Sequence, residues 1–363
     1  PHHHRPPIPM SEPSTDDLRI SGLRPLIAPA VLMADLPASD DAAELVTSTR
    51  ARAEAILKGQ DDRLLAVVGP CSIHDTKAAL EYGGRLKQLA EQHRDDLLII
   101  MRVYFEKPRT TVGWKGLIND PDLNDSYDIN KGLRSARGLL LDLAKLGVPA
   151  GTEFLDTISP QFVADLVCWG AIGARTTESQ IHRELASGLS VPVGFKNGTG
   201  GSLQIAIDAI GAARSPHHFL SVTKQGVSAI VSTKGNDCCH VILRGSSRGT
   251  NYQAEAIEAT VDELEGAGLP PYVMVDCSHG NSRKDYRQQA NVVADICGQL
   301  SAGSKAIASV MIESHLNEGS QKLTEDLDSL EYGKSVTDSC IGWEETEKLL
   351  GELAQAVQAR RKA

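Results

Sequence analysis

Four residues of this sequence could together bind a divalent metal ion: Cys71, His279, Glu313 and Asp338. A set that combines a thiolate, an imidazole and carboxylates suits Mn, Fe, Co or Zn and is a poor match for Mg or Ca alone. Cys71 or His279 considered singly could as well be a buried core residue. The combination with Glu313 favours the metal hypothesis, with one divalent ion as the cofactor.

A second group of residues could bind anions. Several like charges in one cavity are costly unless anions pair with them, and Arg forks match phosphate oxygens well. The cations at or just beyond the ends of apolar runs are Arg102, Lys107, Arg109, Arg175, Lys196 and Arg244. For Arg109 and Lys115, solvated loop charges are a credible alternative. We predict that two phosphate groups bind beside one metal ion, with Glu153 as a carboxylate that orients water.

These residues need a framework that brings their positions together. The sequence contains eight short apolar runs, from residues 64–68 to residues 306–312, and each leads to a charged or ligating residue at its carboxyl end. Helical patterns follow the runs, for example over residues 76–91, 130–145, 160–169 and 202–214. This arrangement predicts an α/β fold, a (β/α)8 TIM barrel with its site on the C-terminal face.

Several segments add to the barrel. We interpret residues 1–10 as a leader or as residues added for expression, and residues 11–60 as an N-terminal arm and helix. Prolines predict that the arm is extended, and the helix runs from Ser39 or Asp40 to Gly59. The catalytic barrel then covers residues 61–363, ending in a helix over residues 344–361. It includes a β-hairpin at residues 217–234, inserted before the sixth barrel strand.

Composition excludes some classes of partner. A net charge of -10 and a pI near 5.6 argue against binding to nucleic acid or to an anionic membrane surface. No run of 18 apolar residues predicts a membrane span. Seven cysteines without framework spacing favour a reduced, cytoplasmic protein.

Six longer motifs contain the candidate residues. They are GPCSIHD at 69–75, MRVYFEKPRTTVGWKGL at 101–117, GARTTESQ at 173–180, PVGFKNGT at 192–199, DCSHGNS at 276–282 and DSCIGW at 338–343. With these motifs the chain resembles the class I 3-deoxy-D-arabino-heptulosonate 7-phosphate (DAHP) synthases over roughly residues 16–361. The resemblance implies condensation of phosphoenolpyruvate with erythrose 4-phosphate, the first step toward the aromatic amino acids.

The resemblance also implies roles for individual residues. The metal ligands are the four residues named first, and phosphoenolpyruvate binds to Arg102, Arg175, Lys196 and Arg244. Erythrose 4-phosphate binds to Lys107, Pro108, Arg109 and Thr110, and Lys115 joins the substrate-binding set. The catalytic residues are Lys107, Glu153, Lys196 and His279. By this assignment the metal polarises the aldehyde, Lys107 protonates the alkoxide, and Glu153 and Lys196 guide water.

Regulation is a further implication of the resemblance. Such enzymes are homotetramers inhibited by an aromatic amino acid, and for this chain we expect a homo-oligomer, either a dimer or a tetramer. The corresponding effector positions are Asp16, Asp17, Asp156, Pro160, Gln161, Leu185, Leu189, Ser190, Phe219, Ser221 and Val231. The motif around His279 looks like the tyrosine-sensitive form, whereas residues 16–20 look like the phenylalanine-sensitive form. The identity of the effector therefore stays open.

Two alternatives compete with this interpretation. One is a related phosphoenolpyruvate-using aldol synthase that makes an eight- or nine-carbon acid sugar, for which the Lys107–Thr110 segment is not needed. The other is a catalytically silent anion-binding regulator. The complete metal set and Glu153 argue against the regulator, since binding an anion requires neither.

Overall fold

The computed structural model describes residues 13–363, so the expected leader at residues 1–10 lies outside the described part. Its main feature is a closed barrel of eight parallel strands, as predicted. The barrel strands are β1 (Leu64–Gly69), β2 (Leu97–Arg102), β3 (Ala150–Glu153), β4 (Trp169–Ile172), β5 (Val193–Lys196), β8 (Cys239–Leu243), β9 (Val273–Asp276) and β10 (Ile307–Glu313). Strand β1 pairs with both β2 and β10, which closes the sheet.

Helices surround the barrel. They are α3 (Thr76–Gln92), α4 (Ile129–Lys145), α5 (Pro160–Val163), α6 (Gln180–Gly188), α7 (Leu203–Ala213), α8 (Ala254–Gly266), α9 (Gln289–Ser301) and α10 (Trp343–Lys362). Side-chain carboxylates and hydroxyls cap the N-termini of several of these helices. Asp75, for example, accepts hydrogen bonds from Lys77 N and Ala78 N at the start of α3. None of the described helices is long and apolar enough to cross a membrane.

The hydrophobic core has two layers because side chains alternate along each strand. Leu64, Ala66 and Val68 of β1 face the helices, whereas Leu65 and Val67 point into the barrel. Both faces of β1 are buried, so its sequence is continuously apolar. The barrel interior is therefore packed, and the open site lies beyond the strand ends.

The N-terminal arm differs from the prediction in one place. Residues Pro29–Asp35 form a short helix, α1, although the prolines predicted an extended chain. Pro29 occupies the first turn, where no intrahelical partner for its missing N–H is needed, so this proline begins a helix instead of preventing one. The next helix, α2 (Asp40–Leu57), is capped by Ser39 as expected, and Gly59 follows it with a φ of 77°.

The helix predicted over residues 160–169 is also wrong in part. Only Pro160–Val163 is α-helical, and residues 164–166 form a 3-10 turn. Trp169 belongs to strand β4, where it is fully buried inside the barrel. Its Nε1 donates a hydrogen bond to His240 Nε2 at 3.0 Å. Tertiary packing of the indole thus overrides the local helical pattern.

The inserted hairpin is present as predicted. Strands β6 (His218–Val222) and β7 (Ser228–Ser232) pair only with each other, between β5 and the sixth barrel strand, β8. Alternation gives the hairpin two faces. Phe219 pairs with Val231 on the half-buried face, and Leu220 pairs with Ile230 on the outer face, where they are 87% and 77% exposed.

Candidate active site and metal centre

The ends of β1 and β10 bring three candidate metal ligands together. Ligand atoms of Cys71, Glu313 and Asp338 all lie within 4.8 Å of one another. Gly69, at the end of β1, is opposite Glu313 in the sheet register. A Cβ at Gly69 would lie 2.5 Å from the carbonyl oxygen of Arg102, so glycine permits this close approach of β1 and β2.

The geometry of this group fits a metal ion. Glu313 Oε2 is buried and has no hydrogen-bond partner among the described residues. Burial raises the pKa of the Cys71 thiol to about 11, so only a bound cation would favour its thiolate. Burial also disfavours the charge of Glu313, but His279, Arg102 and Lys107 outweigh it and lower the pKa of Glu313 to about 2. The donor set is therefore a candidate centre for a divalent ion with affinity for mixed S and O ligands.

His279, the fourth candidate ligand, contacts this group at Glu313. Its Nε2 lies 3.2 Å from Glu313 Oε1, and its Nδ1 lies 2.7 Å from Asp276 Oδ2. A histidine whose second nitrogen is held by a carboxylate is the usual arrangement for a metal ligand. The backbone of His279 has a φ of 55°, a left-handed conformation that is uncommon outside glycine.

Asp276 joins the metal group to the anion-binding cations. Besides His279, its Oδ2 contacts Lys196 Nζ at 3.1 Å, and both partners of that ion pair are buried. Burial would raise the pKa of Asp276, but the charges of His279 and Lys196 hold it well below the ordinary value. Asp276 was not among the predicted site residues, although it follows an apolar run. Its position at the end of β9, facing predicted cations, was the signal available.

The predicted anion-binding cations line one cavity of about 270 Å³ beside the metal group. Strand ends and the loops that follow them supply the lining. It includes Arg102, Lys107, Pro108, Arg109, Thr110, Glu153, Arg175, Lys196, Arg244, His279 and Asp338, together with Tyr104 and Lys284, which were not predicted.

The cations in this cavity differ in how they are held. Arg102 is fully buried, lies 3.7 Å from Glu313 and stacks on the ring of Tyr104. Arg175 is exposed, and its Nε donates to Thr110 Oγ1 at 2.9 Å. Lys107 Nζ donates to the carbonyl of Cys71 at 3.0 Å, which places this ammonium beside the metal group.

Glu153 lies at the end of β3 and is buried, with Oε2 unpaired among the described residues. Gly173 leaves room for it, because a Cβ there would lie 2.7 Å from Glu153 Oε1. A buried carboxylate with a free oxygen, in a cavity lined by cations, can accept a hydrogen bond from water or substrate.

Lys115 is not part of this lining. It is exposed and borders a separate cavity of about 620 Å³, together with Glu106 and Asp156. Its link to the catalytic cavity is through the backbone, since Lys107 N donates to the carbonyl of Lys115 at 2.8 Å. Tyr104, Glu106 and Lys284 do not directly follow an apolar run, so the sequence pattern does not distinguish them from other loop residues.

The structure brings together segments that carry several of the predicted effector residues, namely the loop after β3, α6 and the hairpin. Gln161 Nε2 donates to the carbonyl of Val222 on the hairpin at 2.7 Å, and Ser187 of α6 hydrogen bonds with Thr233 after the hairpin. Leu185 and Leu189 pack against the core nearby. Asp16 and Asp17 lie in the exposed arm, and the hydrogen bonds described for them join neighbouring arm residues.

Comparisons with known proteins agree in the family they indicate. Residues 39–351 match the model of the DAHP synthetase I family. The chain is 60% identical over 350 residues to phospho-2-dehydro-3-deoxyheptonate aldolase of Haemophilus influenzae, covering 96% of each protein. It is also 60% identical over 346 residues to the Phe-sensitive enzyme of that name from Escherichia coli, covering 95% of this chain and 98% of the relative. Other relatives are named tyrosine-inhibited or Trp-sensitive.

A solved structure shows the same architecture. It is phospho-2-dehydro-3-deoxyheptonate aldolase from Francisella tularensis, which superposes with a TM-score of 0.92 at 54% sequence identity. The match covers 94% of this chain and 99% of that chain.

Proposed function

The chain belongs to the DAHP synthetase I family, and from that premise we propose which of its residues carry out the family reaction. The enzyme condenses phosphoenolpyruvate with D-erythrose 4-phosphate and water to give DAHP and inorganic phosphate, the first step of the shikimate pathway. The names of its relatives remove both competing interpretations, the eight- or nine-carbon synthase and the silent regulator.

The proposed metal ligands are Cys71, His279, Glu313 and Asp338. A divalent ion bound there, whether Mn, Fe, Co or Zn, would supply Lewis-acid polarisation of the aldehyde oxygen. The protein orients the ligands: Asp276 fixes the Nδ1 side of His279, which leaves Nε2 directed toward Glu313.

Phosphoenolpyruvate is proposed to bind to Arg102, Arg175, Lys196 and Arg244, whose charges match its phosphate and carboxylate groups. Lys196 and Arg102 are buried and already paired with carboxylates, so they are positioned before the ligand arrives. Arg175 and Arg244 have no carboxylate partner among the described side chains. The anion of the substrate can supply that partner.

Erythrose 4-phosphate is proposed to bind along Lys107, Pro108, Arg109 and Thr110. Lys107 lies beside the metal group and protonates the oxygen that becomes an alkoxide when the enol carbon attacks the aldehyde. The neighbouring carbon, which bears the phosphate oxygen, becomes cationic in this step. Glu153 and Lys196 then orient the water that adds to this cationic carbon, and phosphate leaves with cleavage of the C–O bond. For Lys115 we propose a supporting role through its hydrogen bond with Lys107.

The observation that carries this proposal is the convergence of the metal group and the cations on one cavity. The experiment is phosphate release from phosphoenolpyruvate and erythrose 4-phosphate, before and after chelation and after readdition of divalent ions. Cys71→Ala should remain folded and should not recover with any of the four metals. The matched control, Cys297→Ala, removes a thiol outside the site and should recover fully. Full activity of Cys71→Ala would contradict the metal assignment.

We further propose that an aromatic amino acid inhibits the enzyme from a site made by the arm, α6 and the hairpin. The closeness of Gln161 to Val222 and of Ser187 to Thr233 supports such a site. Ser190→Trp should abolish inhibition by phenylalanine, tyrosine or tryptophan and leave uninhibited turnover within a few-fold. Ser301→Trp, at the end of α9, is the control and should stay inhibited. Unchanged inhibition of Ser190→Trp would place the effector elsewhere.

Two properties of the whole protein complete the proposal. The exposed apolar pair Leu220 and Ile230 supports assembly into a dimer or tetramer, which light scattering coupled to size exclusion would measure. The seven free cysteines support a cytoplasmic location.

A further inference from the structure

A groove of about 850 Å³ adjoins the catalytic cavity on the outer side of Arg175 and Arg244. The two spaces share four lining residues, which are Thr110, Arg175, Arg244 and Lys284. Two more cations, Arg248 and Arg283, line the groove but not the catalytic cavity. The groove therefore continues the cationic surface of the catalytic cavity toward solvent.

The charge of this groove is unusual for the protein. Five cations line it, and no carboxylate of the described residues does, although the chain carries a net charge of -10. The side chains of Arg248, Arg283 and Lys284 are exposed and make no hydrogen bond or ion pair with any residue from 13 to 363. Cations with no counter-charge in a concave surface attract anions and raise their local concentration.

The walls of the groove are fixed by backbone contacts. The loop after β8 meets the loop after β9 at Gly245 and Gly280, where a Cβ on Gly280 would lie 2.4 Å from Ser246 N. Hydrogen bonds between Ser246 and Gly249 hold the loop that carries Arg248. In the facing loop, Arg283 N donates to Gly280 O and Lys284 N to His279 O.

The backbone of the facing loop is also strained. Arg283 and Lys284 have φ values of 52° and 60°, a left-handed conformation that is disfavoured for L-amino acids and is common only for glycine. The loop nevertheless presents two consecutive cations in this conformation. A surface cation needed only for solubility would not require it.

We propose that this groove is a second phosphate-binding site, which receives inorganic phosphate after it leaves phosphoenolpyruvate. The inference rests on the proposed function, in which Arg175 and Arg244 belong to the phosphoenolpyruvate site. The dianion can pass from these two arginines to Arg248, Arg283 and Lys284 without crossing a region of negative charge. The same chemistry would suit the phosphate group of phosphoenolpyruvate on its way in, so the test separates exit from entry.

The experiment measures binding of radioactive inorganic phosphate by equilibrium dialysis to protein saturated with phosphoenolpyruvate and metal, without erythrose 4-phosphate. Under these conditions the inner phosphate site is occupied. The variant Arg248→Ser/Arg283→Ser should bind inorganic phosphate about ten-fold more weakly, since each exposed charge contributes modestly. The matched control Arg52→Ser/Arg94→Ser loses two exposed arginines elsewhere and should bind phosphate like the parent.

Two further measurements separate the groove from the erythrose 4-phosphate subsite and exit from entry. Arg109→Ala removes the cation proposed for erythrose 4-phosphate, and phosphate binding that survives in this variant does not use that subsite. The value of kcat/KM for phosphoenolpyruvate is measured at low and high salt. If the Arg248→Ser/Arg283→Ser variant loses kcat/KM at low salt with unchanged phosphate binding, the groove serves entry and the proposal is wrong.

The remaining outcomes are equally decisive. Absence of phosphate binding to the parent saturated with phosphoenolpyruvate, or equal binding by parent and variant, overturns the second site alone. Failure of the parent to bind phosphoenolpyruvate overturns the proposed function as well, so the two failures are distinguishable.

Discussion

Two buried glutamates on either side of the Lys107 loop have pKa values that move in opposite directions. In the metal group beside the catalytic cavity, His279, Arg102 and Lys107 lower the pKa of Glu313 to about 2 despite its burial. In the separate cavity of about 620 Å³, burial raises the pKa of Glu106 to about 7, and nearby Asp156 adds to the effect. The comparison shows that burial alone does not decide the charge of a carboxylate here; its neighbours do.

The two glutamates also differ in what their charge can do. Glu313 stays ionised and can bind a metal ion at any physiological pH. Glu106 accepts hydrogen bonds from the backbone N–H groups of Leu155 and Asp156, and it adjoins Lys107 in sequence. It therefore connects the catalytic loop with the loop that contains proposed effector residues, through a group that can change charge near neutral pH.

Asp276→Asn should have the largest effect, because it leaves a buried lysine without its counter-charge. Breaking such a pair costs about 3–5 kcal/mol, and loss of a carboxylate that orients a metal ligand lowers activity about 10–100-fold. We expect kcat for phosphate release to fall by at least that factor and the urea midpoint to fall as well.

The control for this change is Asp237→Asn. Asp237 is an exposed partner of Lys58, so its neutralisation should leave both quantities unchanged. An Asp276→Asn enzyme with parental kcat would mean that Asp276 does not position Lys196 or His279.

Glu106→Gln should stabilise the protein at alkaline pH. The pKa of Glu106 is raised from 4.5 to about 7 in the folded state, so folding favours the protonated form. The parent therefore loses stability as the pH rises from about 4.5 to about 7, by about 3 kcal/mol when complete. Glutamine keeps one acceptor oxygen and removes this loss.

Urea unfolding at pH 5 and pH 8 checks this prediction. The gain of Glu106→Gln over the parent should be larger at pH 8 than at pH 5. Glu258→Gln, on the solvent-exposed side of α8, serves as the control. A gain that is the same at both pH values would show that Glu106 is already ionised at pH 5.

Phosphoenolpyruvate should stabilise the protein by neutralising the cations of the catalytic cavity. At a concentration of 100 times Kd the gain is about 2.7 kcal/mol, and it should be larger at low salt. Arg175→Ala should reduce the increase in Tm at a fixed ligand concentration, since Arg175 lacks a carboxylate partner before the ligand binds. An increase in Tm that Arg175→Ala leaves unchanged would remove this residue from the proposed site.

Arg109→Ala should have the smallest effect. Arg109 is exposed, so its loss should change the free energy of unfolding by less than about 0.5 kcal/mol. KM for erythrose 4-phosphate should rise about ten-fold, which corresponds to one contact to a charged group. If KM for phosphoenolpyruvate rises instead, the two phosphate subsites are assigned in the wrong order.

Much of the site could be predicted from sequence because a barrel brings all strand ends to one face. Cys71, His279, Glu313 and most of the cations follow apolar runs, so their convergence needed only the closed sheet, whereas Asp338 comes from a loop beyond the last barrel strand. Local signals also defined α2, through Ser39 and Gly59, and the hairpin, through two short runs around a glycine turn. These features depend on hydrophobic periodicity and on residue type, both of which can be read directly from the amino-acid sequence.

Tertiary structure alone decided the features that depend on contacts between residues distant in sequence. Pro29 could begin a helix or prevent one, and packing selected the helix. Trp169 moved from a predicted helix to the barrel interior because His240 offers its indole a buried acceptor there. The opposite pKa shifts of Glu106 and Glu313, the bridge made by Asp276 and the cationic groove beyond Arg244 all arise between residues distant in sequence. Electrostatic energy depends on distance in space and on local burial, and neither can be read from the order of residues along the chain.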